Sequence, residues 1–322
     1  MRPLSLFLVM LCLSILVYSQ QDQKYFEGSL VYKISVQPKF DNISAKDVHK
    51  MIAKGDLYTV TTKDGNYRET TEFVDSYTIL KDKKTYFKFR KLDTLYYMEY
   101  SSDTSRATSH KTDSNFRIGN YPCKMLAIQS ANVAKRYYYT PSLHVNPELS
   151  KDNTIDHWNL YNQETNGGIY LWSHIDYNFT AETDSCIRVE EKKVDDRLFD
   201  LPALPQKIFT ASQLYSPAHY PGNSGAWLKY LQTNLDGNLA LKYVKISKDQ
   251  AEASQQVVVE FVVSEDGSVN NLHVVNKQEV NSHLAEEAMR VIRDSPRWVP
   301  AMFFGEKITT SVKQPVTFAV KR

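Results

Sequence analysis

RDSPRWVPAMFFGEKITTSVKQPVTFAVKR, residues 293–322, holds a helix end, a Pro-broken stretch around a tryptophan, a turn and a last alternating strand. Ile308, Thr310, Val312, Val316, Phe318 and Val320 keep the two-residue period of a half-buried strand. Pro315 falls on the opposite parity and removes one backbone donor, which puts the strand at an edge or kinks it there. Nothing in the stretch is catalytic in character.

Upstream of it, SHLAEEAMRVIRDSP sets Leu284, Ala288, Val291 and Ile292 on one helical side. Glu286 and Glu287 lie near the positive end of that helix, Arg290 and Arg293 near its negative end, and Pro296 stops it. QQVVVEFVVSEDGSVNNLHVVN reads as a hairpin: a dense Val/Phe strand, a turn through Asp266-Gly267, and a second strand bearing Leu272 and Val274. In YPGNSGAWLKYLQTNLDGN, residues Trp227, Leu228, Leu231 and Leu235 recur at helical spacing, with Gly237 as C-cap. Residues 221–322 are therefore expected to place two helices on a three-stranded antiparallel sheet.

From Tyr25 to about Glu191 the chain reads as short strands parted by polar turns, a mainly β pattern. GSLVYKISVQP alternates until Pro38, and Asp64-Gly65 between two strand-like runs is the strongest hairpin signal of this half. A short helix is expected around Ala45 to Ala53. The stretch LSKDNTIDHWNLYNQETNGGIYLW is the least regular, with Gly167-Gly168 turning into a further strand. Tyr is frequent, at 21 residues, which favours sheet over helix. Tyr96, Tyr97, Tyr100 and the run Tyr137 to Tyr139, Tyr138 above all, are candidates for a concave apolar ligand surface.

The chain opens MRPLSLFLVMLCLSILVYSQ: Arg2, an apolar run from Leu4 to Tyr18, then Ser19. That is the pattern of a secretory signal over residues 1–19, cleaved before Gln20. The expected organisation is this signal, an antiparallel sheet domain over 20–195, a Pro-containing linker over 196–220 and a second domain over 221–322. Lys+Arg 39 against Asp+Glu 37 supplies no electrostatic case for nucleic acid. Cys123 and Cys186 remain after the signal and, in an oxidising compartment, are candidates for one disulfide.

An enzyme needs a constellation of chemical groups, and none is legible. The histidines are scattered without HExxH or a Cys/His spacing, and GNSGAW around Ser224 reads as a turn into a helix rather than a nucleophile elbow. No catalytic residue, metal ligand or cofactor site is expected.

YPGNSGAWLKYL, VVVEFVVSEDGSVNNLHVVN, LAEEAMRVIRDSPRWVPAMFFGEKI and KQPVTFAV, over about residues 220–322, resemble the TonB C-terminal domain family, particularly the versions common in Bacteroidetes envelopes. Pro296, Trp298, Pro300 and Gly305 match that family's Pro-Trp-Pro-Gly stretch. The resemblance implies protein recognition by strand addition, with Trp298, Val316, Thr317, Phe318, Ala319 and Val320 as the candidate docking residues. A cleavable signal and a whole domain stand where energy transducers have an uncleaved helix and a Pro-rich spacer, so coupling to the proton motive force is not carried over. GNYPCKMLAI, YYYTPSLHVNP and VDDRLFDLP resemble, more loosely, exported proteins of the GLPGLI type and the LolA-like class, which implies a curved half-barrel sheet. The leading expectation is a non-enzymatic periplasmic protein, soluble or peripheral at the outer membrane, whose partner is an envelope protein such as an outer-membrane receptor or channel. A lipid or lipoprotein carrier, and an energy transducer, are the alternatives.

Overall fold

The structure is a computed structural model that describes residues 24–39, 43–131, 133–178, 180–210, 215–222, 225–247 and 249–322, with backbone only at 113–115. The signal segment 1–19 and Ser224 lie outside the described residues. Among the described residues no helix is long and apolar enough to cross a membrane.

The first half forms strands β1 (Gly28–Pro38), β2 (Leu57–Lys63), β3 (Asn66–Thr70), β4 (Val74–Ile79), β5 (Lys84–Phe89) and β6 (Leu95–Glu99). After these come β7 (Ala107–Ile118), β8 (Tyr121–Ser130), β9 (Ala134–His144), β10 (Gly168–Asp176) and β11 (Thr180–Glu191). Helix α1 (Ala45–Met51) follows β1, and α2 (Trp158–Thr165) precedes β10. With the three-residue β12 (Gln206–Ile208), the strands make one twelve-stranded sheet in the order β12-β6-β5-β4-β3-β2-β1-β11-β10-β9-β8-β7. It is curved and unclosed. Two meanders meet where β1 pairs with β11 in continuous antiparallel register from Gly28↔Glu191 to Pro38↔Thr180, apart from a shift at Val31/Tyr32. Asp64 and Gly65 both take positive φ, 49° and 78°, the conformation that a two-residue hairpin between right-twisted strands needs.

Cys123 and Cys186 are free thiols rather than the expected disulfide. They sit on β8 and β11, with β9 and β10 between them. At about 4.8 Å per strand step that is roughly 14 Å along the sheet, beyond the roughly 7 Å of Cα separation that a disulfide spans.

The second half runs through β13 (Tyr215–Ser216), α3 (Ala226–Asn234), α4 (Gly237–Tyr243), β14 (Glu252–Val263), β15 (Val269–Val274), α5 (Ser282–Arg293), β16 (Ala301–Phe303), β17 (Glu306–Ile308) and β18 (Thr310–Lys321). Three-stranded sheet β15-β14-β18 carries the core, and β13-β16-β17 forms a second small sheet. Where the sequence suggested one helix ending at Gly237, the chain makes two. Leu235 is extended, and the Asp236 side chain accepts from the Asn238 N–H to open α4, an N-cap role for which aspartate is among the best residues. The apolar side of α5, with Leu284, Ala288, Val291 and Ile292, buries against Val257, Val259, Phe261 and Val263 of β14 and Val316, Phe318 and Val320 of β18.

Gly267 has φ +83°, and a Cβ there would meet the Trp298 carbonyl oxygen at 2.1 Å. The Trp298 N–H in turn donates to the Gly267 carbonyl at 2.9 Å, so the hairpin turn and the tryptophan segment lock together. Gly267→Ala should lose about 2 kcal/mol from left-handed strain, more if the Trp298 backbone cannot yield, read as a drop in denaturation midpoint with unchanged slope.

The two halves are joined through α1. Its Lys50 donates to the Lys307 carbonyl at 2.7 Å and pairs with Glu265 at 2.7 Å. Asp47, 2% exposed, accepts from the Thr309 N–H at 2.9 Å. Nearby, Phe304 stacks on Phe89 with ring centroids 4.4 Å apart, and Lys91 pairs with Glu306 at 2.6 Å. Within the expected linker, Gln206–Ile208 pairs in parallel with β6 and His219 bridges to Val299.

Candidate functional site

One face of the large curved sheet holds a partly open cavity of about 350 Å³. Its walls come from both meanders, from Leu30 of β1 to Phe87 of β5 and from Tyr137 of β9 to Asp184 of β11, with Trp158 and Tyr161 of α2 closing one side. α2 enters through two positive-φ residues, Asp156 and His157, and leaves through Asn166. These turns fold the irregular stretch of the sequence back over the sheet.

Tyrosine is the commonest lining residue, and the hydroxyls of Tyr32, Tyr161 and Tyr170 are spent on the protein. Tyr32 donates to the Tyr170 carbonyl at 2.7 Å, Tyr58 and Tyr170 share a hydroxyl contact at 2.9 Å, and Tyr161 donates to the Gly168 carbonyl at 2.7 Å. Tyr32 and Tyr58 stack at 4.9 Å. Burial pushes the Tyr32, Tyr161 and Tyr170 hydroxyls up, so the rings stay neutral.

Charge concentrates at one wall. Lys54 donates to Glu182 Oε1 at 2.9 Å and sits 4.7 Å over the Tyr58 ring. Glu182 and Asp184 are each 1% exposed, and Ser173 donates to Asp184 Oδ2 at 2.9 Å. Burial draws the Lys54 ammonium down, but Glu182, Asp184 and Glu69 outweigh it and hold the lysine protonated well above its usual range. Glu69 and Glu182 are raised, by burial first, with Lys54 opposing.

A raised carboxyl in the folded state means that the fold binds more protons than the unfolded chain above about pH 4.3. Stability therefore falls as pH rises from there through the raised value. Glu287 and Glu260, lowered by their hydrogen bonds to Arg290 and Ser311, act in the opposite sense in the other half. Glu69→Gln isolates the first effect: from pH 4 to 7 the variant should gain stability relative to the parent as pH rises, in paired thermal melts.

The residues singled out from the sequence are distributed as follows. Tyr137 lines the cavity; Tyr96, Tyr97, Tyr100 and Tyr138 do not. Tyr96 packs edge-on to Phe89, Tyr97 lies 6.1 Å from Tyr86, Tyr100 is buried with its carbonyl taken by Thr154, and Tyr138 meets Trp172 edge-on at 5.1 Å. Glu182 and Asp184 escaped the sequence reading because TAETDSCIRV puts Thr180, Glu182 and Asp184 on one strand parity and so shows no apolar buried face, and Lys54 and Glu69 because no motif or apolar parity around either marks it. Among the described residues no group of three or more His, Cys, Asp or Glu is placed to hold a metal ion.

In the other half, Trp298, Val316, Phe318 and Val320 have core side chains, while Thr317 and Ala319 point to solvent. β18 pairs with β14 in unbroken register and, among the described residues, has no strand on its other side. The backbone polarity of that other side follows from β14. The Val258 N–H donates to Asn276 Oδ1 and its carbonyl accepts from the Val275 N–H, so Val258 faces away from β18. Its partner Pro315 then also faces away from β14, in a non-hydrogen-bonded pair. By alternation, Lys313, Thr317 and Ala319 aim their N–H and C=O groups at the open edge. Pro315 is thus a gap in that edge and leaves the β14 ladder intact.

Comparison with solved structures gives remote likenesses. Two crystal forms of PNGF-II align at 11% and 10% identity with a TM-score of 0.37 each, over 76% of this chain and 44% and 45% of theirs. The chain thus spans less than half the length of the PNGF-II chains. An uncharacterized conserved protein from Thermus thermophilus aligns at 8% identity and a TM-score of 0.34, over 62% of this chain and 99% of that one. No curated protein matches in sequence. Residues 241–320, from the end of α4 into β18, match the family model for the Gram-negative bacterial TonB protein C-terminal, and it is to that domain that the second half of the chain is similar.

Proposed function

We propose that this chain is a non-enzymatic exported envelope protein that docks a periplasmic or outer-membrane protein partner by offering the open edge of β18 to an extended segment of it. The observation that carries this reading is the edge itself: a twelve-residue strand, all but Lys321 of it inside the TonB-like match, paired with a strand on one side only among the described residues, with Lys313, Thr317 and Ala319 aiming backbone groups outward. An extended peptide satisfies such groups by adding a strand, and the backbone rather than the side chains supplies most of the affinity. Val316, Phe318 and Val320 serve by anchoring the strand, since their burial keeps it straight and pre-ordered. The reading takes the large sheet as a LolA-like half-barrel and the location as the periplasm, soluble or peripheral to the outer membrane.

Thr317→Pro and Ala319→Pro, made singly, test it. Each removes a donor from the open edge and none from the β14 ladder, so both variants should fold. Affinity capture of a tagged copy from gently solubilised envelopes should recover a stoichiometric envelope protein with the parent chain and at least tenfold less with either variant. Equal recovery by folded variants would mean that this edge is not the docking element.

A further inference from the structure

The cavity in the large sheet keeps a set of polar groups that the protein itself does not use. Tyr137, Asn153 and Asn162 line it and are 4%, 5% and 6% exposed. The Tyr137 hydroxyl has no hydrogen-bond partner among the described residues, yet it is not sealed from solvent. Asn153 spends Oδ1 on the Ile155 N–H at 3.2 Å, and Asn162 spends its amide nitrogen on the Trp158 carbonyl at 3.0 Å. The Asn153 nitrogen and Asn162 Oδ1 are left over and, like the Tyr137 hydroxyl, open. From the other meander, Glu69 lines the same space and makes no hydrogen bond or ion pair among the described residues; Lys54 acts on it only at longer range. Groups so deeply set are paired as a rule, which points to a partner that enters from outside.

The leftover atoms decide what that partner is. They comprise a donor, an acceptor, a hydroxyl that does both and a carboxyl. Water can serve them while the space is empty, so a ligand that displaces it has to replace its hydrogen bonds, and a hydrocarbon would strand them all. An anionic head group finds Lys54 engaged by Glu182. A cationic one finds Asp156 answered by Lys135 and Glu69 already under the field of Lys54. A ligand rich in hydroxyls, each both donor and acceptor, suits the mixture. The hydroxyls of Tyr32 and Tyr161 are turned to backbone carbonyls, so these residues offer rings, and Trp158 meets Tyr161 edge-on at 5.1 Å. Aromatic walls with a few placed polar groups are the usual make-up of a small-molecule site, and they pack against the C–H face of a saturated ring. The volume of about 350 Å³ equals about a dozen waters at about 30 Å³ each, close to the non-hydrogen atom count of one hexose.

We infer that the cavity is a binding site for one neutral pyranose unit, free or at the end of a glycan, its hydroxyls meeting Glu69, Tyr137, Asn153 and Asn162 and its ring lying against Trp158 and Tyr161. The inference is independent of docking through β18 and survives or fails without it. It also differs from a fatty-acid carrier, which would need an apolar lining and a free cation for the head group.

The test is saturation-transfer NMR and calorimetry on the full chain lacking residues 1–19, at pH 7, with the methyl pyranosides of glucose, galactose, mannose and N-acetylglucosamine. Cyclohexylmethanol, which keeps a ring and one hydroxyl, and hexanoate are the apolar and anionic controls. At least one pyranoside should bind at least tenfold more tightly than either control. Tyr137→Phe removes a hydroxyl that no protein group uses, so the variant should fold as the parent does and bind that pyranoside at least fivefold more weakly. A disaccharide ending in the same sugar then separates the two sources: binding as tight as the monosaccharide marks a glycan end, and exclusion marks a free sugar. Binding by none of the pyranosides, tighter binding by either control, or unchanged affinity in a folded Tyr137→Phe would overturn the assignment.

Discussion

Trp298→Ala should destabilise the second half of the chain by about 3–5 kcal/mol, the range for deleting a fully packed large aromatic. Trp298 is 4% exposed and sits at a convergence: Phe261 of β14 lies 5.0 Å from its ring, Trp227 of α3 5.5 Å and Tyr220 5.9 Å. Its Nε1 donates to the Ser295 hydroxyl at 3.0 Å, and its backbone is held by Gly267. Truncation therefore opens a cavity shared by helix, sheet and connecting segment, none of which can close it alone. Denaturant unfolding reads the loss. A loss below about 1 kcal/mol would show that the aromatic neighbours collapse into the space.

The second large effect is expected at Lys54. Lys54→Met removes the one ammonium that, among the described residues, lines the cavity beside Glu69 and Asp184 and pairs with Glu182, and breaking a buried pair by deleting one partner costs about 3–5 kcal/mol. The loss comes from the stranded carboxylates more than from the missing attraction. The double variant Lys54→Met/Glu182→Leu should accordingly recover part of it, since an apolar pair of similar volume is often neutral against a buried ion pair. Urea denaturation of the two variants beside the parent gives the order parent, double, single. A single variant as stable as the parent would mean that protonation of Glu182 neutralises the wall at no cost.

How much of this was legible in the sequence depended on whether the deciding interaction is local. The alternation from Thr310 to Val320, the Asp266-Gly267 turn, the apolar side of α5 and the Asp64-Gly65 hairpin are written in neighbouring residues, and the structure has them in place. The split of the expected helix at Leu235 and Asp236 was locally written too, but the cap at Asp236 outweighed the helical spacing of the leucines. The cavity was not legible. Its tyrosines come from strands far apart in the chain, and what separates Tyr170 from Tyr138 is which side of a curved sheet each takes, a property of strand order. The free thiols have the same origin: Cys123 and Cys186 looked like a pair by count, and strand order keeps them apart.

The joint at α1 has a mechanical consequence. Thr309, immediately before β18, is tied to Asp47, and Lys307 to Lys50. α1 ends in a tight knot, where the Lys54 N–H donates to the His49 carbonyl at 2.9 Å and the Lys54 carbonyl contacts His49 Nδ1 at 2.8 Å. Tension drawn along the last strand is resisted in shear by its ladder with β14, and what passes the ladder enters α1 through Asp47 and Lys50. The residue next in line is Lys54, the ammonium at the cavity wall. A pull on the outer edge of β18 and the setting of Lys54 at the cavity wall thus meet at opposite ends of one short segment, residues 47–54.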